Sequence, residues 1–367
     1  MFHVKQFMSG RYIVKLSFSD FNWFGRYLDY EGIRYFDYSA SGFEFSFCGT
    51  KAWCKILSDP ELFEEDSKGV LGVFITDIES GNTELKKMIL TQKENHLVLF
   101  ESDKSQKVSI KVIRFSEAYY GYSGLTDIEI DGELIEHPKE EKKLKLEFIG
   151  DSITCGYGID GVLGKDGFKT EQERPDLTYA YLAAGNLNAD AHLICRSGTG
   201  LISCAVASDD AKEPDLQEPL MNQLWPYTDR FLSKRLGIEP EVWDESRFSP
   251  DVVIINLGTN DESWVNGRRD RKASFVNLYE QLLEAVHRRS PKAAILGCLG
   301  VCGQQMCDPV MEAIEHFSKN FPKVKTKFLM FPLQQKLDGI GANWHPSAKT
   351  HKIMSDFLTE DIKALLQ

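Results

Sequence analysis

The sequence predicts an α/β domain, with a parallel sheet covered by helices on both faces, preceded by an all-β domain of the sandwich or jelly-roll type. Residues 1 to about 136 contain short alternating or aromatic-rich runs separated by turn signals. Beyond residue 143, near-continuous apolar runs alternate with amphipathic segments, as in parallel sheets buried on both faces. The charged, proline-containing segment 137–143 is typical of a linker. The predicted domains are residues 1–138 and 139–367.

The N-terminal region is predicted to be all-β because apolar residues recur with a period of two. No helix-period segment of useful length interrupts these runs. Their 2-residue period and their separation by turn residues favour a jelly-roll sandwich. The clearest predicted strands lie at 11–16, 42–47, 70–75, 96–100 and 108–113.

In the C-terminal region, predicted strands alternate with predicted helices. In the long helical segment, Phe275, Leu278, Leu282 and Val286 form one apolar stripe. Active sites of such parallel sheets lie at the carboxyl ends of the strands. The predicted strands are 144–150, 191–197, 251–257, 293–299 and 324–331, and the predicted helices are 176–188, 273–290, 308–320 and 347–366.

Composition narrows the classes of partner. The 367 residues carry a net charge of -12, so neither nucleic acid nor an anionic membrane is an expected partner. No apolar run approaches the roughly 20 residues that span a bilayer, and the first residues lack a leader pattern, so a cytoplasmic location is expected. Eight scattered cysteines without a C-x-x-C pair indicate neither a disulfide scaffold nor a metal site. We expect no cofactor.

A serine at a strand-to-turn junction is the first candidate for catalysis. Ser152 closes the segment 148–152, Phe-Ile-Gly-Asp-Ser, where a hydroxyl is exposed and the amide is free to donate. A serine hydroxyl is a weak nucleophile without a base. His345 is the best candidate for that base, because it lies in a glycine-rich loop and is followed by proline, which positions it rigidly. His351, in the last helix, is expected at the surface.

Four segments in chain order resemble the SGNH hydrolase superfamily over residues 144–367. They are 150–152 (Gly-Asp-Ser), 198–200 (Gly-Thr-Gly), 258–261 (Gly-Thr-Asn-Asp) and 345–346 (His-Pro). The N-terminal region adds detail, because 23–26 (Trp-Phe-Gly-Arg) and 38–50 resemble the jelly-roll domain of carbohydrate esterase family 2. That resemblance implies an esterase that removes acetyl groups from plant-wall sugars through an acyl-serine intermediate.

The resemblance also implies an oxyanion hole with three donors. These are the Ser152 amide, the Gly200 amide and the side-chain amide of Asn260, with Gly198 as an alternative to Gly200. Removing one such donor typically costs about 2.7–4 kcal/mol of transition-state stabilisation.

The chain departs from the superfamily pattern beside the histidine. Many members carry aspartate three residues before it, where this chain has Ala342, and some carry a carboxylate two residues before it, where it has Asn343. The sequence therefore favours a Ser-His dyad, with His345 oriented by a main-chain carbonyl or by Asn343. Trp264 and Trp344 are the candidate platforms for a sugar ring.

Two other functions stay open at this point. One is a lipid-directed esterase or thioesterase on the same scaffold, and the other is a carbohydrate-binding protein with an inert hydrolase domain. The segment 156–161 matches G-x-G-x-x-G, but it does not begin at the strand end as a dinucleotide site requires. The expected substrate is an acetylated oligosaccharide or polysaccharide, and the sequence leaves open whether the chain forms a homo-oligomer.

Overall fold

The structure is a computed structural model that describes residues 5–8, 11–136, 141–165, 167–207 and 211–367. The chain divides into two compact units, Met1–Glu141 and Lys142–Gln367. The predicted boundary between residues 138 and 139, and part of the predicted linker, lie outside the described residues.

The N-terminal unit is one curled antiparallel sheet, which confirms the all-β prediction. Seven strands follow the order β1-β2-β10-β6-β9-β7-β8, β3 pairs with β6, and β4 pairs with β5, which also pairs with β10. All of the pairings are antiparallel. The strands are β1 (Lys5–Met8), β2 (Arg11–Lys15), β3 (Asn22–Phe24), β4 (Leu28–Tyr30), β5 (Ile33–Tyr35), β6 (Gly42–Leu57), β7 (Val70–Asp77), β8 (Thr83–Ile89), β9 (Glu94–Arg114) and β10 (Gly124–Ile135).

Two long, paired strands lie at the centre of this sheet. Strand β6 has 16 residues and β9 has 21, far more than the five or six residues of an ordinary strand. Their pairing shifts register twice, near residues 50 and 52, and such irregularities bend a sheet. The alternation predicted for 42–47 fixes which face is covered, because Phe43, Phe45 and Phe47 are all buried in the core.

The C-terminal unit is a five-stranded parallel sheet with helices, as predicted. The strand order is β12-β11-β13-β14-β15, and the helix pairs α2 with α8 and α6 with α7 pack against each other. Its elements are β11 (Leu144–Gly150), α1 (Ser152–Cys155), α2 (Tyr179–Asn186), β12 (Ala189–Cys195), α3 (Met221–Leu224), α4 (Arg230–Leu236), β13 (Val252–Asn256), α5 (Thr259–Val265), α6 (Arg269–Arg289), β14 (Ala294–Leu299), α7 (Cys307–Asn320), β15 (Thr326–Met330) and α8 (Ala348–Leu366).

This strand order places two of the candidate site residues side by side. Strand β11 is followed in the chain by its neighbour on one side, β12, and the chain then crosses to β13 on the other side. The crevice between β11 and β13 is therefore the point where the winding direction reverses, and ligands bind at such points. Ser152 follows β11 and Asn260 follows β13 by a few residues, so both lie at this crevice.

The differences from the predicted elements have local causes. Helix α2 begins at Tyr179 rather than 176 because a short 3₁₀ turn at Pro175–Leu177 precedes it, and Thr178 caps it. The sequence does not predict the short helices α1, α3, α4 and α5, since seven residues or fewer carry little periodicity. Among the described residues, no helix is both long and apolar enough to cross a membrane.

The expectation for His351 is wrong. This histidine is fully buried, and its Nδ1 accepts a hydrogen bond from the Tyr179 amide at 3.1 Å. Burial lowers the pKa of His351 to about 3. Its neutral ring therefore ties α8 to the start of α2 and serves the fold.

Candidate active site

The turn after β11 fixes the position of Ser152. Asp151 caps helix α1, because its carboxylate accepts a hydrogen bond from the Ile153 amide at 3.0 Å. Gly150 is required just before it, since a β-carbon there would overlap the Thr154 side chain. Ser152 is thus held at the first position of a short helix, and only 7% of it is exposed.

The hydroxyl of Ser152 lies directly against His345. The Oγ–Nε2 distance is 2.8 Å across 193 residues of sequence. On its other side, His345 Nδ1 is 3.1 Å from the main-chain oxygen of Asn343. A carbonyl oxygen only accepts, so Nδ1 carries the proton and Nε2 presents its lone pair to the serine hydroxyl. This tautomer is the one that a general base for Ser152 needs.

A strained turn brings that carbonyl into place. Asn343 and Trp344 adopt φ values of 50° and 65°, in the left-handed region that side chains other than Gly and Asn rarely occupy. Gln334 holds the turn by donating its side-chain amide to the Trp344 carbonyl at 2.7 Å. The Asn343 side chain points elsewhere and donates to the Tyr157 hydroxyl at 3.0 Å. Of the two orienting groups left open by the sequence, the structure places the main-chain carbonyl at the imidazole.

The residue three positions before the histidine is a buried alanine rather than a carboxylate. Ala342 is fully buried, and its amide donates to the Gly158 carbonyl at 3.0 Å, which brings the two loops together. The nearest acidic residue earlier in the same loop, Asp338, is paired with Lys349 at 2.7 Å. The Nδ1 side of His345 is therefore served by an uncharged group.

Burial sets the protonation state of the imidazole. It lowers the pKa of His345 to about 4, and hydrogen bonds with the main chain of Asn343 and Ala342 offset part of that effect. Among the described residues no carboxylate acts on the pKa of this imidazole, and desolvation is the largest influence on it. His345 is therefore neutral, and able to accept a proton, at any pH well above about 4.

Asn260 lies at the carboxyl end of β13, beside the serine turn. Its side-chain amide donates to the Thr199 carbonyl at 2.8 Å, and a second, longer contact joins it to the Asp151 carboxylate at 3.3 Å. The structure thus brings Asn260 together with the turn that carries Ser152 and with the loop after β12.

The two candidate glycines of that loop have different surroundings. Gly200 is buried, and a β-carbon on it would lie 2.5 Å from the Asp261 carboxylate. A trans peptide points its C=O and N–H in opposite directions, so the Thr199 oxygen that binds Asn260 turns the Gly200 amide away from that side chain. Gly198 is partly exposed at φ 73°, and a β-carbon built on it would meet no other described atom within 4 Å. The direction of this peptide bond separates the Gly200 amide from the Asn260 side chain, and Gly198 remains the alternative donor.

The two tryptophans differ in how much ring surface they offer. Trp344 is 58% exposed beside the histidine. Trp264 is partly buried, and the Arg271 guanidinium covers one ring face at 4.2 Å from the ring centre. Arg271 also donates to the Trp264 carbonyl. Trp344 therefore provides the more accessible aromatic surface, and Trp264 has one face already occupied.

Comparison with known proteins assigns the chain to a family. Residues 148–353, which include both Ser152 and His345, match the GDSL-like lipase/acylhydrolase family. The chain belongs to this family. The matched segment begins in β11 and ends in α8, so family membership rests on the C-terminal unit.

Similar proteins extend the match to both units. The cellulase/esterase CelE of Acetivibrio thermocellus is 33% identical over 332 residues, which are 89% of this chain and 37% of CelE. An acetylxylan esterase/glucomannan deacetylase of Cellvibrio japonicus is 26% identical over 278 residues, 76% of this chain and 72% of that protein. A family two carbohydrate esterase from Clostridium thermocellum, solved with cellohexaose, superimposes with a TM-score of 0.80 at 30% identity, covering 94% of this chain and 99% of that one. The resemblance to carbohydrate esterase family 2 is confirmed.

Sequence reasoning missed a buried carboxylate of this GDSL-like site. Asp261, fully buried one position after Asn260, accepts hydrogen bonds from the amides of Leu201, Ile202 and Ser203 at 2.8, 2.7 and 3.3 Å. Asn260 and Asp261 thereby hold the loop after β12 from two adjacent positions. The signal was present in the 258–261 segment, where an acidic residue follows the asparagine.

The buried Asp261 carboxylate should make stability depend on pH. Burial raises its pKa from 3.8 to about 6, although three amides stabilise the charged form. The folded state therefore binds this proton more tightly, and its contribution, about 3 kcal/mol, is present below about pH 4 and lost as pH rises through about 6. Urea unfolding of the wild type and Asp261→Asn at several pH values should give curves that diverge across this range. Parallel curves would show that Asp261 does not titrate there.

The described acidic and cysteine side chains of this unit are scattered rather than grouped. Within the described ranges, no three His, Cys, Asp or Glu side chains are grouped as a metal ion would need. Cys298 and Cys307 are buried, and Cys302 is exposed with its Sγ 3.9 Å from the Gln334 side chain.

Proposed function

We propose that this chain is a carbohydrate O-acetylesterase that works through an acyl-serine intermediate. The contact between Ser152 Oγ and His345 Nε2, at 2.8 Å in the switch-point crevice, carries the proposal. A hydroxyl is activated when an adjacent base can take its proton as it attacks. The neutral, correctly oriented imidazole described above meets this requirement without a carboxylate.

In the acylation step, Ser152 Oγ attacks the ester carbonyl carbon as its proton passes to His345 Nε2. The carbonyl π electrons move onto oxygen and form a tetrahedral oxyanion. When this intermediate collapses, the bond to the sugar oxygen breaks, and the imidazolium returns its proton to that oxygen. The products of this half-reaction are the free sugar hydroxyl and acetyl-Ser152. Water then repeats the sequence, with His345 as base, and releases acetate.

The oxyanion forms beside three donors of the proposed hole. These are the Ser152 amide at the start of α1, the Gly198 amide in the open part of the loop, and the side-chain amide of Asn260. Asn260 is held against that loop by its 2.8 Å bond to the Thr199 carbonyl, so its position is set before substrate binds. Donors fixed in this way stabilise the developing charge without reorganising.

A sugar ester is the substrate class that the surroundings favour. The similar proteins named above are an acetylxylan esterase/glucomannan deacetylase and a structure solved with cellohexaose. In this chain, the exposed ring of Trp344 adjoins His345 and offers an apolar face of the kind on which a sugar ring stacks. An acetylated oligosaccharide or polysaccharide is therefore the proposed substrate, and acetyl is the proposed acyl group.

A chain-length series tests this assignment against the lipid-esterase alternative. We expect kcat/KM to be highest for acetyl esters and to fall through butyryl to octanoyl 4-nitrophenyl esters. Acetylated xylo- and manno-oligosaccharides should release acetate, measured enzymatically. Hydrolysis that instead rises towards octanoyl, with no acetate from any sugar, would support the lipid esterase. Sugar binding without hydrolysis of any ester would support the inert binding protein.

The two tryptophans provide a matched comparison within the same experiment. Trp344→Ala should raise KM for acetylated oligosaccharides more than for 4-nitrophenyl acetate, because only the sugar uses the ring face. Trp264→Ala should have the smaller effect on the sugar, since Arg271 already occupies one face. An equal loss on both substrates in each variant would contradict the role of these rings as sugar platforms.

A further inference from the structure

We propose that Tyr157 is the positioning residue that replaces the missing carboxylate, by holding His345 in place from its ring face and keeping it desolvated. This inference rests on the proposed function and deepens it, because it concerns the base of the same reaction. Tyr157 belongs to the G-x-G-x-x-G segment at 156–161, which directly follows helix α1.

The ring of Tyr157 lies between two others. Its centre is 4.2 Å from the centre of the His345 imidazole, with the planes inclined by 34°. On the opposite face, Phe168 stacks at 3.9 Å, with planes inclined by only 8°. The imidazole is thereby the third layer of an aromatic stack. Both faces of Tyr157 are occupied, so this ring is not available as a sugar platform.

The hydroxyl end of Tyr157 reaches the other element that orients the base. It accepts a hydrogen bond from the Asn343 side-chain amide at 3.0 Å, and the Asn343 carbonyl in turn accepts from His345 Nδ1. Tyr157 therefore contacts His345 directly through its ring and indirectly through the residue that fixes the tautomer. One side chain supports both the orientation of the imidazole and the strained turn beside it.

The main chain around Tyr157 connects the serine to the histidine loop. The Tyr157 amide donates to the Ser152 carbonyl at 3.1 Å, and the Gly158 carbonyl accepts from the Ala342 amide at 3.0 Å. Gly156 and Gly158, on either side, have φ values of 85° and 67°. These conformations, which glycine adopts without strain, explain two of the three glycines of the segment by backbone geometry rather than by nucleotide binding.

The aromatic stack should have a measurable effect on the pKa of His345. His351, which is buried and neutral, is a titratable group whose pKa is lowered by a charge on His345. Asp338, in the same loop as His345, is paired with Lys349. Desolvation is the largest influence on the pKa of His345, and it disfavours the imidazolium. Removing the ring that covers one face should let water reach the imidazole and make it easier to protonate.

The test compares Tyr157→Phe with Tyr157→Leu across a pH series of kcat/KM for 4-nitrophenyl acetate. Phe retains the stack and loses only the hydroxyl, so its acid limb should stay near that of the wild type. Leu removes the stack, so its acid limb should move up by roughly 1–2 pH units, towards the ordinary histidine value. Its kcat at neutral pH should fall about 10-fold or more through misplacement of the base. Tyr30→Leu, in the N-terminal unit, is the matched control.

Phe168→Leu provides a second variant that does not touch the dyad. It removes the outer layer of the stack, and we expect a smaller upward shift of the same limb. If Tyr157→Leu does not fold, as judged by circular dichroism, this variant still decides the proposal. An acid limb unchanged in both Leu variants, in an enzyme that hydrolyses acetyl esters, would overturn the role of Tyr157. A wild type that hydrolyses no ester would instead overturn the proposed function.

Discussion

Ser152→Ala should fold like the wild type and lose at least about 10⁴-fold in kcat towards acetyl esters. The hydroxyl is the proposed nucleophile, and its loss leaves only the oxyanion donors and substrate binding. The fold should be unaffected, because the cap on α1 comes from Asp151 and its bond to the Ile153 amide. The measurement is steady-state hydrolysis of 4-nitrophenyl acetate, together with the melting temperature.

A covalent probe distinguishes the nucleophile from other essential residues. A serine-directed phosphonate should label the wild type at Ser152 alone, as read by peptide mass spectrometry. Ser318→Ala, on helix α7, is a suitable control, because its hydroxyl is bonded to the Ile314 carbonyl away from the site. Labelling at another serine, or turnover retained by Ser152→Ala, would contradict the assignment.

His345→Ala should lose about 10²–10⁴-fold in kcat, the usual contribution of a positioned general base. The more discriminating substitutions are at Asn343, whose main-chain carbonyl orients the ring. Asn343→Gly should stay close to the wild type, since glycine keeps φ near 50° and retains the carbonyl. Asn343→Pro should be nearly as severe as His345→Ala, because proline fixes φ near -65° and would turn that carbonyl away.

These substitutions separate a main-chain role from a side-chain role. If kcat of Asn343→Gly is reduced as much as that of His345→Ala, the asparagine side chain is the essential group. If Asn343→Pro retains full activity, the carbonyl does not orient the imidazole. Crystal structures of the two variants would show whether the Ser152–His345 contact of 2.8 Å persists.

The parts of the fold that sequence predicted are those set by periodicity. The parallel strands were found because β13 and β14 are buried along their whole lengths and so read as unbroken apolar runs. Ser152 and His345 could be identified because each lies at a position that the sequence marks clearly. Ser152 follows the end of a predicted strand, and His345 directly precedes a proline. Parallel strands bring such positions to a common edge, which is why distant residues could be paired in advance.

The other parts of the site depend on contacts that residue types do not encode. The group that orients the imidazole is the main-chain carbonyl of Asn343. Every residue has such a carbonyl, so only the folded turn shows which one faces the imidazole. The choice between Gly198 and Gly200 required the direction of a single peptide bond. Tyr157 lies in a G-x-G-x-x-G motif, which is associated with dinucleotide binding. Its contacts with Phe168 and His345 join separate loop segments, and no sequence pattern indicates that they meet.

The main-chain orienting group has a consequence for how such enzymes vary. A side-chain carboxylate can be lost through one nucleotide change, whereas a carbonyl is supplied by whichever residue occupies the position. Drift at residue 343 should therefore be neutral among residues that accept a positive φ, such as asparagine, glycine and aspartate. Surveys that score these enzymes as active only when an acidic residue precedes the histidine would count functional lineages as degenerate. The φ angle at this position is the better criterion for classifying such enzymes as active or inactive.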